Sequence, residues 1–101
     1  MPVYVDPPFE APPAMHWPYK RACHLYADTR EELHEMAGLI GLSRSWFQDR
    51  LDFPHYDLTV SKRQQAIARG AVATDREHAR QTLERNRAQR LKAEGRKQNA
   101  E

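Results

Sequence analysis

A chain of 101 residues with 40% apolar, 9% aromatic and 30% charged residues has room for one domain with a small core. It holds no run of 18 apolar residues and no charged-then-apolar leader, so neither a membrane span nor a secretion signal is expected. The single cysteine, Cys23, excludes an internal disulfide and fits a reducing cytoplasm. The net charge of +2 hides an asymmetry: residues 1–84 carry ten Lys/Arg against twelve Asp/Glu, whereas residues 85–101 carry six against two. The chain therefore divides into a slightly acidic body, 1–84, and a basic helical or disordered tail, 85–101.

Val3-Tyr4-Val5 reads as a first strand that ends at Asp6, where Pro7-Pro8 removes the ladder donors. Pro7–Lys20 is a proline-punctuated loop with Phe9, Met15, Trp17 and Tyr19 embedded in it, and four large apolar side chains predict that it is pinned to the body. Ala22–Ala27 is a second strand, closed by Asp28. Thr29-Arg30-Glu31-Glu32 is a capping box, and Leu33, Met36, Ala37 and Ile40 form an apolar stripe that stops at Gly41, so a helix is predicted over 29–40.

Ser43–Gln48 reads as one helical turn that turns Trp46 and Phe47 inward, and Asp49–Pro54 as a polar connection. Tyr56–Val60 is a third strand, and Ser61-Lys62-Arg63-Gln64 a second capping box that opens a helix over 61–69 with Gly70 at its end. Ala71–Ala73 is a short fourth strand. Thr74-Asp75-Arg76-Glu77 is a third capping box that starts a last helix over 75–92. Its apolar stripe fails after Leu83, which predicts a projecting helix, disordered by Gly95. The predicted fold is a small α/β domain with a three- or four-stranded sheet, two or three helices and a projecting basic C-terminal helix.

Two sets of residues carry candidate chemistry. Lys62 and Arg63 stand at a helix N-terminus, where cations are electrostatically misplaced unless an anion answers them. With the amides there they would hold a phosphate or carboxylate; in the plainer reading they face solvent or pair with acids such as Asp57. Asp6, Asp28 and Asp57 lie at strand ends, with His24 and His55 near two of them, and such a set would bind a divalent cation or work as acid and base. Strand-end acids also cap turns, and no ligand pair shows i,i+4 or CxxC spacing. Cys23 sits in an apolar strand and reads as a core residue.

The pieces YVD at 4–6, CH at 23–24, ADTREELHEMA at 27–37, WFQ at 46–48, HYDLTVSKR at 55–63 and GAV at 70–72 resemble the short bacterial and phage proteins of domain-of-unknown-function family 4031. The similarity spans roughly residues 3–73. Where relatives often place a second acid after YVD, this chain has Pro7-Pro8. The resemblance implies a cytoplasmic α/β domain, phage or bacterial, with His24, Asp28, Trp46, His55, Tyr56, Asp57, Lys62 and Arg63 on the motif-bearing surface.

Three functions follow as expectations. The first is a small soluble binding module for a phosphate-containing small molecule or nucleic-acid end, held by His24, Asp28, His55, Tyr56, Asp57, Lys62 and Arg63. The second is a metal-dependent hydrolase or nuclease that holds a divalent ion on Asp6, Asp28 and Asp57. The third is a phage-type module that engages a host protein through the Trp17 loop or the basic tail; no membrane partner is expected.

Overall fold

The computed structural model describes residues 2–99, and the whole arrangement hangs on one strand, β3 (Arg21–Ala27). β1 (Val3–Val5) pairs antiparallel with its C-terminal half, Val5 opposite Leu25, and β2 (Phe9–Glu10) pairs antiparallel with its start, Phe9 opposite Ala22. Three residues lie between Val5 and Phe9 but only two between Ala22 and Leu25, so one extra residue bulges out at Asp6–Pro8. β4 (Tyr56–Leu58) runs antiparallel to β3, with Asp57 opposite His24, and β5 (Val72–Ala73) runs parallel to β1. The sheet is thus five-stranded and mixed. β2 lies inside the segment that reads as a loop, because a two-residue strand between prolines leaves no periodic trace.

Alternation along the strands sorts the side chains onto two faces. Val3, Val5, Cys23, Leu25, Tyr56 and Leu58 are buried on one face, under helix α1 (Arg30–Leu39) and helix α2 (Val60–Ala68), which contribute Leu33, Met36, Ala37 and Ala66 to the same core. Tyr4, His24, Tyr26 and Asp57 occupy the alternate positions and so belong to the other face.

Helix α1 starts on its predicted cap, Thr29, with Glu32 reaching back to the Thr29 hydroxyl rather than to its amide. Thr29 accepts from the Glu32 amide at 3.2 Å, while its hydroxyl donates to the Glu32 carboxylate at 2.8 Å. Its end is a Schellman motif: Gly41, at φ 79°, donates to Gly38 O and Leu42 donates to Ala37 O. Gly70, at φ 107°, and Ala71 repeat that pattern on Ile67 and Ala66 at the end of α2.

Two helix starts differ from the sequence reading, each by moving to a nearby cap residue. The cap of α2 is Thr59, which accepts from the Lys62 amide at 3.1 Å, so β4 stops at Leu58 and the helix opens two residues before Ser61 can cap it. In the last helix, α3 (Arg76–Asn99), Asp75 accepts from the His78 amide at 2.8 Å. Thr74 is then free to lie 2.8 Å from the Tyr26 hydroxyl and to donate to Val5 O.

The same helix continues through Gly95 to Asn99 and docks by polar rather than apolar groups. Residues 78, 82, 86 and 90 share one face at i,i+4 spacing. His78 Nδ1 meets the Tyr26 hydroxyl at 2.8 Å, and Thr82 is buried. Asn86 donates to Asp52 O, and Arg90 grips the Asp52 carboxylate through Nε at 2.8 Å and Nη2 at 3.1 Å. Among the described residues no helix is long and apolar enough to cross a membrane.

Candidate metal centre

The bulge at Asp6 aims its carboxylate back at β3. Asp6 Oδ1 accepts from the His24 amide, and Oδ2 lies 2.6 Å from His24 Nδ1. A buried carboxylate that already accepts one N–H fixes the tautomer: His24 carries its proton on Nδ1 and leaves the Nε2 lone pair outward. His55 is oriented the same way by a different group. Its Nδ1 lies 2.8 Å from the Phe53 carbonyl, which can only accept, so here too Nε2 is the free nitrogen.

Both free nitrogens face Asp57. His55 Nε2 is 3.4 Å and His24 Nε2 3.9 Å from Asp57 Oδ1, and the three donor atoms lie within 4.8 Å of one another. The second carboxylate oxygen, Oδ2, accepts from the Gln48 amide. Gln48 is placed there by its own bridge to His55, with main-chain bonds of 2.9 and 3.1 Å in the two directions. Burial pushes the Asp57 carboxyl up, but His55 and His24 in their protonated forms, which bring a His55 hydrogen bond and two positive charges, outweigh it together with the Gln48 bond and hold the group below its usual range. The imidazole rings meet edge to face, 4.8 Å between centroids, and Phe9 and Phe53 flank His24 at 4.9 and 5.6 Å. Asp57 and His55 are nearly buried, at 10% and 9% side-chain exposure, while His24 is open to solvent at 27%.

Of the remaining candidates, Asp28 lies about 13 Å further along β3 from His24, at about 3.3 Å per residue, and its carboxylate accepts from the Tyr4 hydroxyl. Tyr56 faces the helix side, where its hydroxyl lies 2.8 Å from His34 Nδ1. Lys62 donates from Nζ to Ile40 O at 2.5 Å, a cation placed on the carbonyl end of α1, and Arg63 donates from Nε to Asp6 O at 2.8 Å. Both cations that look misplaced in the sequence thus have partners outside their own helix. The structure brings His24, His55 and Asp57 together, puts Asp6 behind His24, and leaves Asp28 apart. Gln48 and Phe53 escaped the sequence reading. The signal that could have pointed to the centre is His55-x-Asp57, two ligand types at i,i+2 on one strand face.

Beside Asp57 opens a cleft of about 680 Å³, walled by Trp17 and Tyr19 from the loop before β3 and by Trp46 and Phe47 from the turn after α1, with Lys62 at its edge.

The family model described as a protein of unknown function, DUF4031, matches residues 3–88, so the chain belongs to that family, and the match takes in the first half of α3 along with the sheet. No curated protein and no solved structure matches the chain.

Proposed function

We propose that this member of the family binds one divalent transition-metal ion on His24 Nε2, His55 Nε2 and Asp57 Oδ1, and that it works as a metal-dependent hydrolase on a phosphate-containing substrate. The observation that carries the reading is the convergence of two imidazole lone pairs on one carboxylate, each imidazole fixed by a hydrogen bond at Nδ1. Lone pair against carboxylate is repulsive unless a proton on the imidazole or a metal ion lies between them, and a metal ion can satisfy both imidazoles at once. Two histidines and one carboxylate, with Asp6 orienting His24 from behind, are a donor set suited to zinc and its neighbours. Ligands at about 2.0–2.1 Å from a tetrahedral ion stand about 3.3 Å apart; the two distances to Asp57, 3.4 and 3.9 Å, are near that value, and the donor set, spread over up to 4.8 Å, closes on the ion by side-chain movement. Three protein ligands leave a coordination position free, and the exposed side of His24 gives access to it. The bound ion would lower the pKa of a coordinated water and polarise a phosphoryl oxygen.

An anion site on Lys62 and Arg63 alone is the weaker reading, because Ile40 O and the Asp6 carbonyl already use those cations. We read the compartment as cytoplasmic, since Cys23 is a lone thiol buried in the core. Calorimetric titration with Zn²⁺ and Mn²⁺, after chelator treatment, tests the proposal. One ion per chain is expected, with affinity reduced at least about a hundredfold in His55→Ala, and bis-p-nitrophenyl phosphate hydrolysed only by the loaded protein. Absence of saturable binding by the wild-type chain overturns it.

A further inference from the structure

The aromatic cleft beside Asp57 suggests what the centre acts on. Trp46 is 57% and Tyr19 58% exposed, although rings of this size are commonly buried, and they come from two separate segments that wall one cleft. Three of the four rings have fixed neighbours. The Trp17 indole donates to Arg21 O at 2.9 Å and packs edge-on to Tyr19, 5.7 Å between centroids. Phe47 is set against His34 and Tyr56 at 4.6 and 5.5 Å. Four aromatic side chains around a space of about 680 Å³ suit a planar heteroaromatic group of small-molecule size.

Charge supplies the second half of the argument. Asp57 lies both in the metal centre and in the cleft wall, so the cleft borders the centre through that carboxylate, with His24 and His55 behind it. With a divalent ion in place, the charged groups there are the ion, Asp57 and Lys62, which sum to a positive balance and call for an anion beside the ring. A planar heteroaromatic ring joined to an anion is the chemistry of a nucleotide.

We infer that the cleft seats the base of a nucleotide, with its phosphate directed to the ion on His24, His55 and Asp57; the phosphate half of this assignment rests on the metal reading above. Both tryptophans of the chain line the cleft, so their fluorescence reports directly on its occupancy.

The experiment titrates adenosine, AMP and ribose 5-phosphate into the full chain, with and without equimolar Zn²⁺, and reads tryptophan emission and calorimetric affinity. Adenosine is expected to quench the emission without metal, and AMP to bind at least about tenfold more tightly than adenosine once Zn²⁺ is present. Trp46→Ala should weaken adenosine by about tenfold or more, and keep Zn²⁺ affinity unchanged, because a stacked ring contributes on that scale. Tyr19→Ala gives the same comparison from the other wall. His55→Ala should abolish the gain of AMP over adenosine and leave adenosine binding intact. If millimolar adenosine and AMP leave the emission of the Zn²⁺-loaded protein unchanged, or ribose 5-phosphate binds as well as AMP, the base seat is wrong and the metal centre stands. Adenosine quenching that both wall variants weaken, in a chain that takes up no metal, supports the base seat and overturns the metal centre.

Discussion

Neighbouring residues of one strand, Leu25 and His24, live in opposite worlds. Leu25 lies on the helix side of the sheet among Val5, Leu33, Tyr56 and Leu58, where stability comes from apolar area removed from water. His24 lies on the other side among Asp6, His55, Asp57, Phe9 and Phe53, where hydrogen bonds and ring edges orient a half-buried polar group. That second side is covered too, but by polar means: Tyr26 is 1% exposed beneath Phe53, Tyr4 and His78, and α3 reaches it through its i,i+4 polar stripe. The contrast is between a side built from apolar contact and a side built from oriented polar groups and rings, where the proposed metal centre lies.

The sharpest way to break the comparison is Leu25→Ala against His24→Ala. Loss of a fully buried leucine should cost about 2–5 kcal/mol, read from urea unfolding of the metal-free protein. His24→Ala should cost about 1 kcal/mol or less, since Asp6 keeps its backbone donor, yet it should remove metal binding. Equal losses of stability would mean that the two sides are not specialised.

Asp6→Asn probes the outer side one step further back. It should lower metal affinity about 10–100-fold with little change in the unfolding midpoint, because it changes the orientation and basicity of His24 rather than a ligand. An unchanged affinity would remove Asp6 from the centre.

The α3 contact predicts a pH effect. The Arg90 hydrogen bond holds the Asp52 carboxyl below its usual range. A lowered acid pKa contributes stability that is present above the unfolded value of about 3.9 and is lost as pH falls through the folded one. Arg90→Ala should therefore move the acid-unfolding midpoint to higher pH and speed amide exchange at Phe53.

On the helix side, burial, followed by the charges of Arg44 and Arg30, lowers the His34 pKa. The neutral imidazole is then the folded form, so its contribution is complete above about 6.5 and declines as pH falls towards the folded pKa. His34→Gln should flatten the stability profile over that window.

The smallest effect belongs to Cys23. Burial pushes its thiol up to about 11, and the native protein should not react with Ellman's reagent at pH 8 until it unfolds. A fast native reaction would show that the core side opens.

The helix ends were legible because their signals are local. Thr29 with Glu32, Gly41 and Gly70 each act within one turn, and the structure uses all of them. The strands at Val3–Val5 and Arg21–Ala27 were legible from β-branched and aromatic runs, and the α1 stripe from its 3.6 period. Choices between nearby cap residues, Thr59 or Ser61 and Thr74 or Asp75, were not, since both members of each pair carry a suitable oxygen. The register of β4 on β3 settles the first; the Tyr26 hydroxyl, which engages Thr74, settles the second.

The candidate centre was legible only as parts. His24, His55, Asp6 and Asp57 stood out as residue types, but four strand-end groups can combine in several ways. The antiparallel register puts His24 opposite Asp57 and a one-residue bulge turns Asp6 behind His24, whereas Asp28, equally prominent in the sequence, falls at the far end of the strand. The partners of Lys62 and Arg63 were not legible for the same reason, since Ile40 and Asp6 are 22 and 57 residues away in the chain. By itself, then, the sequence determined the α/β elements other than β2, the cap of α1, the glycine ends of α1 and α2, and the apolar side of the sheet, because these depend on residues within a turn or a strand of each other. Only the tertiary structure decided which polar groups meet on the outer side, because that depends on strand register and on a bulge.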